Sequence, residues 1–144
     1  MRNNGGGLVD EALDIADLIC NAGETLLITA DKNENKETRR AKTNPQITMP
    51  IVVITNGGTA SASEILAAAL KENEKATIVG EKTFGKGVIQ ELVYLSNGGA
   101  LKVTFAEYYT PKENKINKVG IEPDYKIEGA QEQLNKAIEV VKNK

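Results

Sequence analysis

Ile51-Val52-Val53-Ile54-Thr55-Asn56-Gly57-Gly58-Thr59-Ala60-Ser61-Ala62-Ser63-Glu64 is the stretch whose reading decides the fold. Residues 51–55 follow Pro50 as a short continuous apolar run, the pattern of a central strand covered on both faces. A glycine-bearing loop over 56–60 comes next, and a helix is predicted from about 62 to 72. This order presents the Ser61 hydroxyl at a helix N-terminus. Backbone N–H groups there lack intrahelical partners and can receive a developing oxyanion. The bland alternative is that Ser61-Ala62-Ser63-Glu64 is an S-x-x-E capping box and nothing more. Ser63 is the competing nucleophile, but it lies inside the first turn and is less available.

A second glycine-bearing loop follows a short predicted strand at 76–79. It reads Gly80-Glu81-Lys82-Thr83-Phe84-Gly85-Lys86-Gly87. The chain has no histidine, so an imidazole does not activate a hydroxyl here. The remaining base is a lysine held neutral by burial, or a carboxylate. Lys86, flanked by two glycines, is the candidate; its bland reading is a solvated loop lysine. Gln90 is either a plain strand position or a group that orients the lysine amine. In an extended strand the two residues stand ~13 Å apart, so they meet only if the chain bends at Gly87 or the side chains converge. Gly5, Gly6 and Gly7 are read as a source of a second oxyanion N–H or as a phosphate cradle. No G-x-x-x-x-G-K-[ST] pattern is present, which removes the P-loop reading.

Working outward, residues 9–20 carry helical periodicity, with Val9, Ala12, Leu13, Ala16 and Ile19 on one face and Gly23 as a stop signal. Residues 25–30 read as a strand. Residues 31–44 are charged and polar, a hairpin tip or mobile loop. Two strands, 88–95 and 100–109, flank Ser96-Asn97-Gly98-Gly99, a type I′ hairpin turn. Leu101, Val103 and Phe105 fall on one side of the second strand. A short strand is expected at 125–127. A last helix is expected at 130–142, with Leu134, Ala137, Ile138 and Val141 inward. The fold class is α/β, a mixed sheet with packed helices, in one domain spanning 1–144.

Composition narrows the function. At 144 residues, 40% hydrophobic and 26% charged, the chain is an ordinary globular domain. A net charge of −2 and the lack of Trp argue against a nucleic-acid surface. Cys20 stands alone, so no intrachain disulfide forms. Without histidine, and with one cysteine, no transition-metal site is expected, and no cofactor is invoked. No apolar run approaches the ~20 residues of a membrane span. The start, Met1-Arg2-Asn3-Asn4-Gly5-Gly6-Gly7, suits a turn between a strand and a helix. The chain is therefore expected to begin inside a domain.

Five segments, in this order, resemble the catalytic core of the C-terminal processing peptidases, or tail-specific proteases. They are Arg2-Asn3-Asn4-Gly5-Gly6-Gly7-Leu8, Thr59-Ala60-Ser61-Ala62-Ser63-Glu64-Ile65, Thr77-Ile78-Val79-Gly80-Glu81-Lys82-Thr83-Phe84-Gly85-Lys86-Gly87, Tyr108-Tyr109-Thr110-Pro111 and Gly120-Ile121-Glu122-Pro123-Asp124. The resemblance implies a fold related to crotonase and Clp protease, incomplete at its N-terminus. It implies a serine endopeptidase acting on protein or peptide substrates through an acyl-enzyme. Ser61 matches the nucleophile, Lys86 the general base and Gln90 its support. Ala62 N–H matches one oxyanion donor, and Gly6 or Gly7 the other. Two departures stand out: the family has a strand ending in Asp-Leu before Arg2, and a PDZ domain with further helices upstream. The resemblance also implies an extracytoplasmic parent, in the periplasm or cell envelope. An unpaired edge beside strand 51–55, or a nearby one, is expected to make the chain a homo-oligomer, and without the PDZ domain and a complete glycine strand proteolysis is expected to be weak or absent. The rival readings are an inactive structural or binding fragment, and an acyl-CoA enzyme of the crotonase type.

Overall fold

The structure, a computed structural model, describes residues 1–143; Lys144, the last residue of the expected domain, lies outside the described residues. The elements run α1 (Val9–Asp17), β1 (Thr25–Asp31), β2 (Lys36–Arg40), β3 (Ile51–Thr55), α2 (Ala62–Glu72), β4 (Ala76–Gly80), β5 (Val88–Tyr94), β6 (Ala100–Tyr109), β7 (Tyr125–Lys126) and α3 (Ala130–Lys142). The α/β class expected from the sequence is present, with its strands divided between two sheets. One has the order β2-β1-β6-β5 and the other β3-β4-β7. The first is antiparallel throughout, the second parallel.

The parallel sheet positions the site. Ile51 is in register with Ala76 and Thr55 with Gly80, so β3 and β4 end at the same level. Both glycine-bearing loops therefore leave from one edge of the sheet, the carboxyl end where open α/β sheets place their ligands. The loops are joined at their roots: Glu81 N–H donates to Thr55 O at 3.0 Å, and Thr55 Oγ1 donates to Glu81 O at 2.8 Å.

α2 connects the two strands and packs against α1, β1 and β4. Its Ala67, Ala68 and Ala69 are buried together with Ile65 and Leu70. Small side chains let three neighbours approach one helix, and a helix apolar nearly all round is a buried one. Full burial of Ile65 alone is worth roughly 2 kcal/mol.

Several expectations are corrected. β3 is an outer strand of its sheet; its apolar run reflects α3 packed against it rather than a strand on each side. The 31–44 segment does hold a hairpin tip, as one of its two readings had it, but it also holds a strand: β2 pairs with β1 despite five exposed side chains. α1 stops at Asp17, and Gly23 instead donates its N–H to Ala41 O at 2.8 Å. On α3 the buried residues are Gln133, Ala137 and Val140, while Leu134, Ile138 and Val141 are exposed. Gln133 turns the helix: its Nε2 donates to Glu81 Oε1 and Ile127 O, both at 3.0 Å. The buried amide is thereby satisfied, and the apolar row is rotated outward.

Candidate active site

Ser61 is the N-cap of α2, with φ 58° and ψ −125°. A non-glycine residue rarely adopts this backbone, and holding it there costs on the order of 1–3 kcal/mol. The turn aims a side chain out of a strand–loop–helix junction. Ala62, the first helical residue, has an N–H with no intrahelical acceptor. The S-x-x-E capping box is half made: the Glu64 carboxylate returns to Ser61 N–H, while Glu64 N–H donates to Ser61 O rather than to the hydroxyl. Glu64 Oε2 accepts Ser61 N–H at 2.9 Å.

Glu64 does more than cap. It is completely buried, and its two oxygens gather donors from both loops. Oε2 also accepts Lys86 N–H at 2.8 Å. Oε1 accepts Gly85 N–H at 2.7 Å and the Thr83 hydroxyl at 2.5 Å. A carboxylate offers about four acceptor positions, and four donors use them. The backbone nitrogens of Ser61 and Lys86 share one oxygen atom, so they lie closer than those two bonds laid end to end. This hub role was missed in the sequence reading. The only signal was the E of the capping box, which points to Ser61 and carries no hint of the second loop.

The glycine segment at residues 5–7 is stitched to the Ser61 loop. Ala60 N–H donates to Asn4 O at 3.0 Å, Thr59 Oγ1 donates to Met1 O at 2.9 Å, and Asn56 Nδ2 donates to Asn3 Oδ1 at 2.9 Å. Gly6 has φ +90°; a Cβ on it would sit 2.6 Å from Ala60 O and 2.9 Å from Ala62 N. Only glycine allows this approach. Gly6 N–H is already bonded to Asn4 Oδ1 at 3.0 Å. Gly7 N–H makes no hydrogen bond among the described residues. Gly7 and Ala62 line one cleft of about 350 Å³, with Leu8, Ile15 and Leu66 as apolar walls.

Lys86 is exposed, and among the described residues its Nζ makes no hydrogen bond to Ser61 Oγ or to any other group. The glycines beside it make room for a neighbouring segment. A Cβ on Gly87 would sit 2.3 Å from Asn117 N, and Lys118 N–H donates to Gly85 O at 2.8 Å. They admit the backbone of 116–120, which clamps the lysine loop from outside. Gln90 is on β5, and its Nε2 donates to Thr104 Oγ1 at 3.0 Å rather than to Lys86. Ser63 is buried, as its place in the first turn predicts. No cluster of residues that could hold a metal ion is found among the described residues.

The family profile "Peptidase family S41" matches residues 1–127. The chain belongs to peptidase family S41. It is 48% identical over 128 residues to a carboxyl-terminal-processing protease of Synechocystis sp., covering 89% of this chain and 30% of that protein. It is 44% identical over 127 residues to carboxyl-terminal-processing peptidase 1, chloroplastic, of Arabidopsis thaliana, covering 88% of this chain and 26% of that one. Among solved structures, the photosystem II D1 C-terminal processing protease superposes with a TM-score of 0.78 at 43% identity, over 88% of this chain and 33% of that chain. The tricorn protease, at 22% identity and a TM-score of 0.58 over 99% of this chain and 14% of its own, shares the fold. This S41 chain thus spans less than a third of the length of these curated relatives.

Proposed function

We propose that this S41 chain carries the chemical centre of a serine endopeptidase of the C-terminal processing class, with Ser61 as nucleophile and Lys86 as general base. The observation that supports it best is the shared oxygen. Glu64 Oε2 holds the backbone of Ser61 and of Lys86 side by side, at a residue whose backbone is forced into positive φ. In this reading Ser61 Oγ attacks a peptide carbonyl carbon, and the neutral amine of Lys86 takes its proton. The carbonyl oxygen, now negative, is met by Ala62 N–H and by Gly7 N–H, since Gly6 N–H is spent on Asn4. The lysine returns the proton to the leaving amine, and water then resolves the acyl-enzyme with the same amine as base. In this reading Gln90 supports the lysine by giving up Thr104.

The substrates are polypeptides cut near their C-terminal ends, as the relatives' names say of those proteins. The protein works outside the cytoplasm, in the cell envelope or periplasm, and it forms homo-oligomers, for which the outer strands β3 and β5 supply open edges. The test uses the natural gene product containing this sequence. A mechanism-based serine reagent should label Ser61, and Ser61→Ala and Lys86→Ala should each remove cleavage of an unfolded protein. Cleavage that survives either change overturns the corresponding role.

A further inference from the structure

Thr83 takes no part in the bond-making above, yet the residue is only 5% exposed and its hydroxyl both donates and accepts. Oγ1 accepts Ile121 N–H at 2.7 Å. That N–H can only donate, so the hydroxyl proton is left for Glu64 Oε1, 2.5 Å away. The chain of donors runs one way, from Ile121 through Thr83 to Glu64. Thr83 N–H also donates to Ile121 O at 3.1 Å, which fixes the two backbones against each other. Among the donors that Glu64 receives from the described residues, the others are backbone N–H groups. Thr83 is the side-chain member, and it can be deleted without touching the main chain.

We propose that Thr83 is a positioning residue for the Ser61–Lys86 pair. Its hydroxyl holds the Glu64 carboxylate in the orientation whose other oxygen bridges the two backbone amides. Through it, the turn at 116–121 sets the spacing between nucleophile and base. Without the hydroxyl, Glu64 rotates to recover a donor and Ile121 N–H is left buried and unpaired, a loss concentrated at the reacting groups. A displacement of about 1 Å at such a centre costs up to about 10²-fold in rate.

This role rests on the Ser61/Lys86 reading, so its test carries Ser61→Ala alongside. The assay is steady-state cleavage of an unstructured fluorogenic peptide by the natural gene product. Thr83→Val is nearly isosteric; it should lower kcat roughly 10–100-fold and move KM by less than about 3-fold, with a cooperative thermal transition retained. Thr83→Ser keeps the hydroxyl and should restore kcat to within about 3-fold. Unchanged kcat in a folded Thr83→Val overturns the proposal, and so does a Thr83→Ser variant as impaired as the valine. If Thr83→Val does not fold, Thr83→Cys decides, because a thiol is a weak donor: a fall in kcat supports the role and an unchanged kcat overturns it. If Ser61→Ala is inactive while Thr83→Val is fully active, the positioning role alone is lost. If Ser61→Ala still cleaves, the nucleophile assignment falls and takes the positioning role with it.

Discussion

Glu64 is a charged residue with no exposed surface, at the junction of three loops, whereas Tyr94, Leu101 and Phe105 of the β5–β6 hairpin are apolar or aromatic and 80%, 53% and 47% exposed. The usual placement of polar and apolar residues is inverted in both regions. At the junction, a carboxylate is buried because four donors replace its water, and a buried charge persists only when so compensated. On the hairpin, Val93 and Leu101 pair across the strands on a face that nothing among the described residues covers. Exposed apolar side chains grouped in this way are expected at contact surfaces. Hydrogen-bond satisfaction, more than residue class, decides what the junction encloses. On the hairpin, residues 100–105 are exposed on both faces, so position beyond the body of the domain decides what it shows.

The sharpest way to break the comparison is at Ser61. Ser61→Gly should abolish cleavage, a fall of about 10⁴-fold or more, while leaving the fold intact or more stable by up to about 1–3 kcal/mol, since glycine adopts φ 58° freely. Denaturant melts and peptide cleavage check both halves. A destabilised glycine variant would mean that the turn is not strained.

Gly6→Ala comes next. A Cβ 2.6 Å from Ala60 O must push the two loops apart, so activity should fall by about 10²-fold, with about 1–3 kcal/mol of stability lost. Glu64→Gln replaces one acceptor oxygen by an NH₂ facing N–H donors. A stability loss of about 1.5–3 kcal/mol is expected, along with impaired cleavage; a neutral effect on the denaturation midpoint would show that the hub does not hold the loops.

Cys20 sharpens the same contrast through pH. It is fully buried beside α1, and burial pushes its thiol from the ordinary 9.0 up to about 11. The unfolded chain therefore ionises first, and the folded state loses stability as pH rises from about 9 toward 11. Cys20→Ala should flatten that alkaline limb, and a thiol reagent should react only as the protein unfolds. The smallest intramolecular effect belongs to the hairpin. Phe105→Ser should change monomer stability by less than about 0.5 kcal/mol while lowering self-association in light scattering. A large loss of monomer stability would show that the hairpin packs against the body of the domain.

Much of this was legible before any fold was seen. The residue ranges of β6, α2 and α3 follow from turn chemistry and helical period, because both are local. The placement of β3 at an outer edge was not legible, since an apolar run reports burial without saying whether a helix or a strand supplies it. The inward face of α3 was misread for a related reason. Gln133 is drawn in by Glu81, far back in the sequence, and by Ile127 O just before the helix, neither of which is part of the helical pattern.

The sequence alone therefore determined the order of elements, the two glycine-bearing loops and the serine and lysine they carry, since spacing and residue type are enough to state them. Tertiary structure alone decided that the two loops share one carboxylate, and that Gly85 and Gly87 make room for residues 116–120. It also decided that the hairpin's apolar side chains stay in water. The shared carboxylate depends on two loops brought together by the parallel β3–β4 register, and a hydrogen bond across the fold leaves no periodic trace in the chain.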